Sequence, residues 1–132
     1  VLLPLVLAGS LALAAHAPSA PRDGTYVGAT SEHRKIRIVV EDGQIARTAV
    51  TINSYRCDPE GQVGPVVLRV RPHAPIVERA VSFDSGTMVN MLRLRATFGS
   101  RTRMSGSVRA HGTIGTGDPC TSPVRRFTAK RR

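Results

Sequence analysis

From Asp23 onward, apolar and polar residues alternate with a period of two. In Lys35 to Val40, Ile36, Ile38 and Val40 fall on one side, and Arg37 and Val39 on the other. That is the signature of a half-buried β-strand. Val66 to Arg71 repeats it, with Val66, Leu68 and Val70 inward and Arg69 and Arg71 outward. Met88 to Phe98 is the longest predicted strand, with Leu92, Leu94, Ala96 and Phe98 on one face and Arg93, Arg95 and Thr97 on the other. Met104 to Thr113 sends Met104, Val108 and Ala110 inward and Ser105, Ser107 and Arg109 outward. Further strands are predicted at Gly24 to Ala29, Ile45 to Ile52, Val77 to Phe83 and Val124 to Ala129. Asp42-Gly43 supplies a two-residue hairpin turn. Pro59-Glu60-Gly61, the Pro72 and Pro75 pair, and Asp84-Ser85-Gly86 end other segments. No window beyond the first residues holds apolar side chains at helical spacing. The expectation is an all-β fold, either a small antiparallel β-sandwich or an up-and-down barrel.

The start of the chain has a different character. Its first 21 residues contain no Lys, Arg, Asp or Glu, and Val1 to Ala15 is nearly all apolar. Small residues follow, which is the pattern of a signal-peptide core before its cleavage site. Residues 1–17 are therefore read as a truncated signal peptide, residues 18–22 as a linker, and residues 23–132 as one β domain. Cleavage after Ala14 and after Ala17 both fit, and a buried helix of the domain is the competing reading. The run is short for a membrane span, which needs about 20 apolar residues. Secretion, or residence in the periplasm or cell envelope, is the expected localisation.

Export makes the cysteines informative. Cys57 and Cys120 are the only two, and an even pair in a small exported domain is expected to bond. Closing a loop of that length contributes roughly 4 kcal/mol in the chain-entropy account.

The chain carries 19 Lys and Arg against 9 Asp and Glu, a net charge of +10. The excess is lopsided: residues 18–84 are nearly balanced, while residues 85–132 hold Asp118 as their one acid. Such a field attracts anionic polymers or membrane surfaces. The same charge also serves solubility, and the Arg bias also fits a GC-rich coding sequence.

Candidate chemistry is sparse. No Gly-x-Ser-x-Gly is present, and a bonded Cys57 is no nucleophile. His33, His73 and His111 are far apart and lack metal-ligand spacing. Glu78, Asp84, Asp58 and Glu60 read as loop-solvating acids. Gly112 to Gly117 looks like a phosphate loop, but it lacks the Lys and the following helix. It reads as a flexible hairpin loop before Cys120. With no Trp and few aromatics, the stacking platforms of single-strand nucleic-acid binders are missing. No enzyme activity, metal or cofactor is expected.

Asp23-Gly24-Thr25-Tyr26-Val27-Gly28, followed by Glu41-Asp42-Gly43-Gln44-Ile45, resembles the start of the secreted FMN-binding domain. That family's flavin-attachment motif, Ser-Gly-Ala-Thr, has only Gly28-Ala29-Thr30-Ser31 as a near match here, and that lies at the wrong end. A wider likeness runs over residues 23–130. The Asp-Gly-Thr-Tyr-x-Gly start, the Asp-Gly hairpin, Phe83-Asp84-Ser85-Gly86, Ser105-Gly106-Ser107 and the two cysteines resemble small exported bacterial β-proteins with no assigned function. Phe127 stands where such proteins often carry Trp. This resemblance implies fold rather than activity.

Two functions compete. One is a non-catalytic secreted or envelope-associated module that meets anionic polymers through Arg93, Arg95, Arg101, Arg103, Arg109, Arg125 and Arg126. On this reading the cluster has no local acid, while Arg34 and Arg37 sit among acids. The other is a carrier that holds a small apolar ligand or cofactor in a barrel or sandwich pocket.

Overall fold

Period-two alternation buries one face of each strand and leaves the other in water, so a sheet built from such strands must cover its apolar face, against a second sheet or by curling on itself. A computed structural model of the protein describes residues 20–59, 61–113 and 117–132. Residues 1–17, expected from the sequence to be a signal peptide, lie outside the described residues, as do Glu60 and residues 114–116. The strands are β1 (Gly24–Thr30), β2 (Lys35–Glu41), β3 (Gln44–Ile52), β4 (Arg56–Cys57), β5 (Gly61–Gln62), β6 (Val66–Val70), β7 (Ala74–Pro75), β8 (Ala80–Gly86), β9 (Met91–Ser100), β10 (Arg103–Thr113), β11 (Pro119–Thr121) and β12 (Arg125–Arg131).

They form one antiparallel sheet curled into a half-barrel, with one disulfide. The main path runs β8-β9-β10-β12-β1-β2-β3-β6, with β7 beside the start of β3. The curl brings β6 back near β8 and β9. Inside lie Tyr26, Ile36, Ile38, Val40, Ile45, Ile52, Leu92 and Leu94, all at 0% exposure. Every inward residue predicted for the segment Met88 to Phe98 is buried, as are Met104, Val108 and Ala110.

The curl depends on two glycines. A Cβ on Gly28 would stand 1.7 Å from the Thr128 carbonyl oxygen, and one on Gly106 would stand 2.0 Å from that of Arg95. Neighbouring strands approach there as only glycine allows, and such kinks are how sheets close. The Asp42-Gly43 turn is a type I′ hairpin, with φ of 51° and 71° at the two central residues.

β10 changes partner along its length. Arg103 to Val108 pair with β12, and His111 to Thr113 pair with β11. At the switch, the buried Ser122 hydroxyl accepts a hydrogen bond from the Ala110 amide at 2.9 Å, and the Ser122 amide donates to the Ala110 carbonyl at 2.8 Å. The ladder is thus completed where a regular partner is missing. β11 continues the sheet to β4 and β5, and Cys57 lies directly opposite Cys120. Their Cα atoms are 4.0 Å apart and the bond spans 63 residues of chain. It fastens this short extension to the long strands. The Tyr26 hydroxyl lies 2.7 Å from the Arg22 carbonyl oxygen and 2.8 Å from that of Arg101, and its ring meets Phe98 edge-on at 5.5 Å. Burial pushes its phenol pKa up.

Two sequence boundaries shift. Asp84-Ser85-Gly86 is not a turn but the end of β8, because Asp84 pairs across to Arg93 on β9. The turn falls instead at Thr87 to Asn90, closed by the Thr87 amide donating to the Asn90 carbonyl at 3.0 Å. Met88 is therefore in the loop, and β10 rather than β9 is the longest strand.

Gly106→Ala should cost more than about 3 kcal/mol, since two backbones must separate to admit one methyl group. Gly99→Ala, where nothing lies within 4 Å, should leave the urea midpoint nearly unchanged. Equal midpoints for both variants would show that the curl does not need the close approach.

Candidate anion-binding face

Alternation that buries Leu92, Leu94 and Ala96 must place Arg93 and Arg95 outside. β9 and β10 are joined by the tight turn at Arg101 and Thr102, so their outer residues pair directly. Arg93 stands opposite Arg109, Arg95 opposite Ser107, and Thr97 opposite Ser105. On the far side of β10, Ser107 pairs with Arg126 and Ser105 with Thr128. Ser82 on β8 pairs with Arg95. A single row, Ser82-Arg95-Ser107-Arg126, thus crosses four strands. Beside it lies a row of hydroxyls, Thr97-Ser105-Thr128.

These rows line an open groove of about 670 Å³, whose lining includes Arg95, Arg126, Thr97, Ser105, Ser107 and Thr128. The Arg95 and Arg126 side chains are exposed and make no hydrogen bond or ion pair among the described residues. Their Cα atoms are two strand spacings apart, roughly 10 Å. An oxyanion lying between them would meet two guanidinium forks and several hydroxyl donors.

The seven arginines singled out from the sequence do not all share this face. Arg93 is outward but not free of acid: its Nε and Nη2 donate to Asp84 at 3.1 Å, and Asp84 also contacts His111 Nε2 at 3.2 Å. The acid comes from β8, just before the strongly basic residues 85–132. Arg109 donates to the Thr121 hydroxyl at 3.0 Å. Arg103 is outward at the other end, paired with Lys130 on β12. Arg101 sits in the turn, where its carbonyl accepts from the Arg22 amide at 2.8 Å. Arg125 has the inward parity of Phe127 and turns to Ser54, at 3.0 Å, and Glu32, at 3.6 Å. Of the two candidates on the last strand, Arg126 is the outward one. Sequence reasoning left out Thr97 and Thr128 as ligand groups, although both occupy outward positions of their strands.

Among the described residues the strands carry only two acids, Glu41 and Asp84; the others lie in turns and connections. Cations, by contrast, occupy outer strand positions on both halves of the sheet. Arg37 does not sit among acids but with Arg47, Arg69 and Arg71 around a separate groove. No group of three His, Cys, Asp or Glu among the described residues is placed to hold a metal ion.

The Arg93 hydrogen bond holds the Asp84 carboxyl below its ordinary pKa; partial burial opposes this, and His111 adds to it. A carboxyl whose folded pKa is depressed stabilises the fold fully above its unfolded pKa, and that contribution is lost as pH falls through the folded value. The pair is well exposed, so it contributes less than about 1 kcal/mol. Asp84→Asn should lower the urea midpoint slightly at about pH 7, and the deficit should shrink at about pH 2, as the wild-type carboxyl takes up its proton. A deficit of equal size at both values would mean that Asp84 acts through packing rather than charge.

No protein-family model, no curated protein and no solved structure matches this chain.

Proposed function

We propose that the domain is a non-catalytic binding module, acting outside the cytoplasm or at the cell envelope, that holds anionic polymers on the outer face of β9, β10 and β12. The observation that carries this is the row from Arg95 to Arg126 along a hydroxyl-lined groove, with neither guanidinium neutralised by an acid. Like charges held in register without counter-charge repel each other, and a polyanion relieves that repulsion. A chain of sulfates or phosphates presents acceptors at intervals that both forks can meet. The disulfide suits an oxidising compartment. The interior argues against a carrier of apolar ligands, because large side chains of the sheet itself fill it.

Heparin-agarose retention tests the reading. The protein should bind at low salt and elute as salt rises, since the contact is ionic. Arg95→Glu with Arg126→Glu should elute much earlier than Arg34→Glu with Arg56→Glu, which changes net charge equally at residues that do not line the groove. Asp84→Asn should elute later than wild type, because it removes the acid that pairs with Arg93 beside the face. Equal loss from both charge-reversed pairs would reduce the effect to net charge and remove the dedicated face.

A further inference from the structure

The second basic groove lies on the other half of the curled sheet, away from β9 and β10. Arg37 on β2 stands opposite Ala49 on β3, and Ala49 stands opposite Arg69 on β6. Arg47 lies two residues before Ala49, on the same face of β3, and is itself opposite Val39. Thr48 pairs with Val70, which brings Arg71 alongside Arg47. Four arginines therefore surround a floor made by Val39 and Ala49. The groove between them encloses about 310 Å³. Glu41 approaches only Arg47, at 3.8 Å, with both side chains more than half exposed. The side chains of Arg37, Arg69 and Arg71 have no hydrogen bond or ion pair among the described residues.

Four guanidinium groups around one small hollow with a single loose counter-charge repel each other until an anion enters. Their forks are suited to the tetrahedral oxygens of phosphate, which accept several bidentate hydrogen bonds at once. The floor is apolar and ungroomed for hydrogen bonding, so it suits the carbon skeleton that carries the phosphate. We propose that this groove is a second, separate binding site, and that it takes the phosphate ester of a small organic molecule or headgroup. It does not depend on the polymer face, because it shares no residue with it.

The test is a titration of the ¹⁵N-labelled full chain, following the arginine Nε–H signals. Glucose 6-phosphate should move the signals of Arg37, Arg47, Arg69 and Arg71 together along one saturable curve, and glucose should not. Arg37→Gln with Arg69→Gln should weaken this binding by roughly tenfold or more, as loss of charged hydrogen bonds does. Arg95→Gln with Arg126→Gln should leave it unchanged. Glu41→Gln should tighten it, because it frees Arg47. Flotation with phosphatidylglycerol vesicles then separates the sources. Flotation lost in the Arg37 and Arg69 variant assigns the ester to a lipid headgroup, and saturation by glucose 6-phosphate without flotation assigns it to a soluble molecule. Shifts that never saturate and spread over all arginines would overturn the site, as would equal affinity in the Arg37 and Arg69 variant.

Discussion

The approach of neighbouring backbones at Gly28 and Gly106 is the constraint on which the rest of this structure depends. A flat sheet of these strands would leave Tyr26, Ile36, Ile38, Leu92 and Leu94 facing water. Curling closes that face without a second sheet. It is possible only where a strand lacks a Cβ at the point of closest contact. The ring of Tyr26 against Phe98, its hydroxyl at two carbonyls, and the Ser122 bridge to Ala110 then hold what the glycines permit. The disulfide adds the small β4 and β5 extension, which has little core of its own.

Curling also decides where the charge goes. With the inside given to apolar side chains, most cations on the strands are driven to the convex surface, Arg125 excepted, and strand register sets their neighbours. Arg93 meets Arg109, and Arg95 lines up with Arg126, through pairings between residues far apart in the sequence. Acids fall almost entirely in turns, where they solvate chain reversals. The arginine surface is thus a result of the same alternation that makes the core. Its division into two grooves follows from the intervening strand β1, which presents Val27 and Ala29 on its outer side rather than cations.

Alternation within a strand was legible in the sequence, and so were the Asp42-Gly43 hairpin, the cysteine pair and the inward residues of β9 and β10. Those features are local, or follow from chemistry that needs no geometry. What was not legible required pairing. Period two is identical in a sandwich and in a curled sheet, so the choice between them waits on register and on glycine contacts. Asp84-Ser85-Gly86 has turn composition, yet it is strand because Arg93 lies across from its acid. Arg125 and Arg126 are adjacent and chemically alike, and only the parity of Phe127 separates the inward from the outward one. The Arg37 groove draws on three strands from a segment that looks electrically balanced when read in order.

The central claim is that the outer face of β9, β10 and β12, and not the interior, receives the ligand. Chemical-shift mapping of the backbone amides and side-chain methyl groups with a heparin-derived oligosaccharide tests it most directly. The account predicts shifts centred on Arg95, Thr97, Ser105, Ser107, Arg126 and Thr128, with the aliphatic signals of Leu92, Leu94 and Ile38 unmoved. Shifts concentrated on the interior residues, or spread evenly over every cation of the chain, would contradict it.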